Sequence, residues 1–209
     1  MPKIKSLNAI LVLCLIAAGP AAAEGSLSRL AERATDISLD TDHFLQDVNA
    51  EVLRLLQHDP TDADLAAIPG LIDAFHRSGA DRQDDVLKLL AHLLAGSKNH
   101  RSAILDTAVQ ALQSPWHGVR VAALDVLGRS EDAAAVPKLM ASLGDPDWEV
   151  RYQALYGLSF FIDHAVHEEI FEAVAPLVAD KNERVREMAR TLMRLAKGAG
   201  RQNLQAPME

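Results

Sequence analysis

A dipeptide that returns at a nearly fixed interval constrains this chain more than any other feature. Val119-Arg120, Val150-Arg151 and Val185-Arg186 each open a stretch with apolar residues at the Val, four later and eight later: Val119/Ala123/Leu127, Val150/Ala154/Leu158 and Val185/Ala189/Met193. A spacing of four keeps to one face of a helix. The pattern recurs without the Arg as Val86/Leu90/Leu94, and more loosely as Val52/Leu56, so successive anchors stand 34, 33, 31 and 35 residues apart. A period of this length is the signature of stacked supersecondary units.

Each anchored stretch follows another amphipathic segment and a short polar turn, which makes the unit a helical hairpin. First helices are predicted near 26–36, 62–78, 101–113, 133–143 and 165–178, and second helices near 43–57, 83–95, 118–128, 149–161 and 183–197. Thr61 followed by Asp64 has the form of a capping box, and Asp145-Pro146-Asp147 and Ser114-Pro115 punctuate turns before helices. No stretch sustains a period of two, so no sheet is expected. One hairpin cannot bury its apolar face alone, whereas five in a stack share a continuous core. The predicted fold is an all-α, right-handed α-solenoid of about five hairpins.

The Val-Arg repeats resemble HEAT repeats, particularly the short class also found in phycobilisome bilin lyases, and the resemblance is best over 100–197. In that family a turn Asp six residues before the Arg joins it in a ladder across neighbouring repeats. Asp145 precedes Arg151 and Asp180 precedes Arg186 at that spacing, while Ser114 stands before Arg120. The resemblance therefore implies a structural ladder of Arg120, Arg151, Arg186, Asp145 and Asp180. A proline in the first helix is a further family habit: Pro137 matches it, Pro69 matches with a longer following turn, and Pro176 departs from it. Residues 24–99 fit less well, with Leu87 in place of the Arg, and are expected to form irregular N-terminal repeats or a cap.

The two ends read differently. Lys3 and Lys5, the apolar run Ala9–Ala18, the break at Gly19-Pro20 and the small residues Ala21-Ala22-Ala23 have the form of a secretory signal peptide cleaved after Ala23. Ten apolar residues fall short of the roughly 20 that span a bilayer. Cleavage would take both lysines and Cys14, the sole cysteine, leaving 19 basic residues against 29 acidic ones. Such a chain is expected in the periplasm or secreted, without disulfides, thiol catalysis or cysteine-ligated metal. Its acidic balance argues against nucleic acid or anionic lipid as the main partner, and the mature form has no predicted membrane span. Residues 198–209 contain little that could pack and are expected to be a disordered tail.

Side chains two and six past each anchor lie nearly opposite the apolar stripe at 100° per residue. They form two rows: Arg54, Lys88, Val121, Tyr152, Glu187, and His58, His92, Asp125, Tyr156, Thr191. Five of the nine aromatic residues fall between Trp148 and Phe161, and Trp148, Tyr152 and Tyr156 share a face away from Val150, Ala154 and Leu158. Tyr and Trp bring large contact area at low rotamer entropy, so this face is a candidate protein or peptide contact. Packing against adjacent helices is the alternative use of such rings. Trp148, Tyr152, Tyr156, Asp125, His92 and Lys88 are the predicted partner-binding residues.

His164, His167 and Glu168 have a spacing that can bring two imidazoles and a carboxylate to one metal, although acids at a helix start also serve capping. The His-Glu pair resembles those of a HEAT-like di-iron hydroxylase, but that family needs several pairs and here there is His167-Glu168 alone. Phosphate-binding loops, nucleophile elbows and HExxH pairs are missing from the sequence. The expectation is a non-enzymatic interaction or assembly scaffold with no cofactor. The alternative is a small-ligand or metal-binding protein, or a lyase-like enzyme, on the same scaffold.

Overall fold

The computed structural model describes residues 25–36, 41–162 and 167–203, and among them there are helices and turns but no strand. Five hairpins follow in order. The first joins α1 (Ser26–Ala34) to α2 (Thr41–Gln57). In the second, α3 (Asp62–Ala66) and α4 (Ile68–Arg77) together face α5 (Ala80–Leu93). The third is α6 (Arg101–Ala111) with α7 (His117–Arg129). The fourth begins with a 3₁₀ turn, Ala133–Ala135, that runs into α8 (Val136–Ser142) and returns as α9 (Trp148–Ser159). The fifth runs through α10 (His167–Val174) and a 3₁₀ stretch, Ala175–Ala179, to α11 (Glu183–Asn203). The architecture is an α-solenoid, as the period predicts.

The second helices form one unbroken row, with α2 on α5, α5 on α7, α7 on α9 and α9 on α11. Their anchor residues supply the core. Val86, Leu90, Val119, Ala123, Val150, Ala154, Val185 and Ala189 are all buried in a single cluster that runs the length of the stack. Two glycines set how closely α7 and α9 approach. A Cβ added at Gly128 would stand 2.8 Å from the Gly157 Cα, so only hydrogens separate the two backbones there.

Local chemistry explains where the helices start and break. Thr61 and Asp64 do form a reciprocal capping box at the head of α3. Pro69, Pro137 and Pro176 all sit in the opening turn of a new helical segment, where a missing N–H costs nothing and the fixed φ suits the restart. Pro176 thus serves the same purpose as the other two, at a shifted register. The final helix differs from expectation in length: it continues through Gly198 and Gly200 to Asn203, beyond the 197 where it was predicted to stop. Each glycine in a helix costs about 1 kcal/mol relative to alanine, but no proline or capping residue intervenes to end the run. The proposed signal peptide, the end of the tail at 204–209 and His164 lie outside the described residues.

Candidate binding groove and the charge ladder

The hairpins are joined by a repeated arginine contact. Arg151 donates from Nε and Nη2 to the two oxygens of Asp180 at 2.8 and 2.9 Å, and from Nη1 to the carbonyls of Asp145 and Pro146 at 2.8 and 3.1 Å. Arg120 repeats this one hairpin earlier, with Asp145 at 2.9 Å from both Nε and Nη2 and the carbonyls of Ser114 and Pro115 at 2.9 and 3.1 Å. Each guanidinium therefore clamps the turn of its own hairpin and the aspartate of the next. The same aspartates organise the backbone: Asp145 accepts from the Asp147 N–H and Asp180 from the Asn182 N–H, and Asp147 and Asn182 accept in turn from the N–H groups of Glu149 and Arg184.

Pairing across hairpins also explains Ser114. In the register of the ladder, position 114 corresponds to the partner of position 87, which is Leu87 and fully buried. Both the cation and its carboxylate are replaced together, so no charge is stranded in the stack.

Nearer the N-terminus the same task falls to residues without the motif. Arg54 meets Asp64 of the next hairpin at 2.7 and 3.1 Å and Glu51 at 2.7 Å, so it is committed to helix packing although its position places it in the outward row. Arg82, almost wholly buried, donates to the carbonyls of Arg33, Ala34 and Asp36 at the end of α1, and its guanidinium lies 5.2 Å over the Phe44 ring. Neither contact follows a spacing repeated elsewhere in the chain, which is why the sequence pattern does not reveal them.

The perturbed titrations follow the same arrangement. Burial works against the carboxylates of Asp64 and Asp145, but hydrogen bonds from Arg54 and Arg120, with backbone N–H groups, outweigh it and hold both pKa values below the usual range. At Asp180 the Arg151 hydrogen bond is itself the largest influence, and it too lowers the pKa. Asp85 is the exception: burial, with Asp84 and Asp81 nearby, raises its pKa despite a 2.7 Å bond from Lys88.

Outward side chains of the last three second helices enclose a groove of about 550 Å³, lined by Val121 of α7, Trp148 and Tyr152 of α9, and Arg184, Glu187 and Thr191 of α11, among others. Trp148 and Tyr152 are half-buried, with their inner edges on the core. The Arg184 guanidinium stands 5.6 Å over the Trp148 ring, joining the fourth hairpin to the fifth across the groove. Tyr156 lies further along α9. It is exposed and packs edge-on against exposed Phe160 at 5.3 Å, whereas Phe161 is fully in the core. The sequence-level aromatic group is therefore divided into a groove pair, a surface pair and a core residue.

The remaining predicted contacts are engaged within the fold. Asp125 accepts from Arg129 at 2.9 Å and from the Gln153 amide at 3.3 Å. His92 is half-buried; burial first, then Arg129, lower its pKa against the pull of Asp125, which favours a neutral ring at pH 7. Lys88 bonds Asp85 and Asp84 along its own helix. Burial opposes its charge, but these two carboxylates prevail and raise its pKa. None of the three lines the groove. Glu168 is exposed near the start of α10, where the side chain of His167 is outside the described residues. Among the described residues no group of three His, Cys, Asp or Glu is placed to hold a metal ion. Nor is any described helix long and apolar enough to cross a membrane.

The family model for HEAT repeats matches residues 68–159. Over those residues the chain is similar to HEAT repeats. The matched stretch takes in most of the second hairpin and the whole third and fourth. The match ends before the fifth hairpin, although that hairpin repeats the Arg–turn contact. The crystal structure of Cex1p aligns at a TM-score of 0.58 and 14% identity over 97% of this chain, which spans 44% of the Cex1p chain. Two engineered proteins align at TM-scores of 0.47 and 0.49, each at 17% identity, covering 91% and 90% of this chain and 96% and 98% of theirs. No curated protein matches the sequence. At these identities the structural likeness concerns the fold alone.

Proposed function

We propose that this HEAT-repeat chain is a non-enzymatic interaction scaffold of the periplasm or extracellular space that binds a protein or peptide partner in the groove of its last three hairpins. The observation that carries the reading is the groove itself: two aromatic side chains, one stacked by an arginine, on a floor fixed by core packing. Large rings held in place before binding lose little entropy when a partner covers them. Four of the groups with shifted pKa values, Arg54, Asp64, Asp145 and Asp180, spend their hydrogen bonds holding hairpins together, which fits a scaffold. Export rests on the sequence of residues 1–23. N-terminal sequencing of the protein recovered from a periplasmic fraction should begin at Glu24, and recovery of the intact N-terminus from the cytosol would refute the location.

Binding is tested by affinity capture from a periplasmic extract, using the wild type and a Tyr152→Ala, Tyr156→Ala variant whose helical circular dichroism is unchanged. A partner held by the groove should lose about tenfold or more in affinity, since buried aromatic anchors commonly contribute 1–2 kcal/mol or more. Equal capture by both proteins would contradict the groove reading.

A further inference from the structure

We propose that the C-terminal end of the solenoid is a second docking surface, taking an acidic segment of a partner protein that sets a carboxylate on Arg186 and an apolar side chain between Val178 and Met193. Arg186 clamps its own turn as Arg120 and Arg151 do, donating from Nη1 to the carbonyls of Asp180 and Lys181 at 2.8 and 3.2 Å. The Nε–Nη2 edge that takes an aspartate in both preceding hairpins has no carboxylate partner among the described residues. A planar fork of this kind matches a carboxylate two bonds at a time.

The neighbouring positions extend the same stripe. Five past the anchor, the inner hairpins carry Ala91, Leu124 and Leu155, all buried beneath the next repeat, and the last hairpin carries exposed Arg190. Nine past it, Gly128 and Ser159 are followed by Arg194. Arg186, Arg190 and Arg194 therefore stand four apart on the face where a sixth hairpin would stack. Arg190 and Arg194 flank an apolar groove of about 390 Å³ whose remaining lining is Val178 and Met193.

A polar end is needed to keep any solenoid soluble, but that need is indifferent to sign. Here α11 carries six basic residues against two acidic ones, in a chain whose net charge is −8. Like charges at i, i+4 repel along a helix. An acidic ligand relieves that repulsion, which makes charge complementarity the basis for choosing the occupant.

The test is a selection of random twelve-residue phage-displayed peptides on the full chain, followed by affinity measurements with the best synthetic peptide. Enriched peptides should place Asp or Glu beside an aliphatic residue. Binding should fall about tenfold or more for Arg190→Glu, Arg194→Glu and for the peptide with Asn or Gln in place of its acid, and less steeply for Arg186→Lys. It should persist in Arg184→Glu, on the groove side of the same helix, and in the Tyr152→Ala, Tyr156→Ala variant, which separates this surface from the groove. Enrichment without acidic residues, absence of enrichment, or equal loss in Arg184→Glu would overturn the proposal. Two other results would replace the occupant and so overturn it as well. One is binding that emerges only when 204–209 are removed, assigning the surface to the chain's own end; the other is self-association in sedimentation that Arg190→Glu, Arg194→Glu abolishes.

Discussion

Arg151 donates to four oxygens at once, two from the carboxylate of the next hairpin and two from the carbonyls of its own turn, while remaining almost completely buried. Removing one member of such a pair leaves an uncompensated charge, a loss that commonly reaches 3–5 kcal/mol. Arg151→Ala is therefore expected to destabilise the protein by about that amount, and Asp180→Ala by less, because the carbonyl contacts of Arg151 survive it; urea unfolding of both single variants and the double variant measures their coupling. The sign of the pH dependence follows from the carboxylates. Folded Asp64, Asp145 and Asp180 have pKa values below their ordinary one, so their contribution is complete above the unfolded value near about 3.9 and is lost as pH falls through the folded values. Asp85 is shifted the other way, so ionised Asp85 opposes folding at neutral pH and the opposition lifts on acidification. Thermal unfolding at pH 7 should consequently show a lower Tm for Asp64→Asn and an unchanged or higher one for Asp85→Asn, with about 2–4 °C expected per kcal/mol at this chain length.

Helix packing makes two glycines behave oppositely. Gly128→Ala drives a Cβ to 2.8 Å from the Gly157 backbone, where nothing flexible can yield, and should cost about 1–3 kcal/mol by forcing α7 from α9. Gly70→Ala in α4 meets just the Ala31 Cβ at 3.6 Å, an ordinary contact, and should stabilise by about 0.5–1 kcal/mol through helix propensity. Denaturant midpoints for the two variants decide this, and movement in the same direction would contradict it. Most element positions could be read from the sequence because the anchors, turn aspartates and caps act locally: Asp147 and the Thr61–Asp64 box start helices within three residues of themselves. Contacts that cross hairpins without a repeated spacing could not be read that way. Arg54 looks outward on a helical wheel yet is drawn onto Asp64, and Asp125 accepts from Gln153 of the next hairpin. The compensation between Leu87 and Ser114 becomes visible once the ladder is seen to run from each Arg to the following turn.

At the scale of the whole molecule, the continuous row of second helices gives each hairpin a neighbour to bury its face against, and the Arg–Asp contacts fix the order in which neighbours meet. The groove is a product of that stacking, since no single hairpin brings Val121, Tyr152 and Glu187 together. Disturbing the ladder between the fourth and fifth hairpins should therefore weaken partner binding even though Arg151 does not line the groove, and restoring the opposite pair by Arg151→Asp with Asp180→Arg should recover less than the native arrangement, because aspartate cannot donate to the turn carbonyls. The central claim, that this scaffold works through its groove, is tested most directly by hydrogen–deuterium exchange and hydroxyl-radical footprinting of the chain with its captured partner. The account predicts side-chain protection at Trp148, Tyr152 and Met188 with little change on α4, α6 and α8; protection confined to those first helices, with the groove residues unaffected, would contradict it.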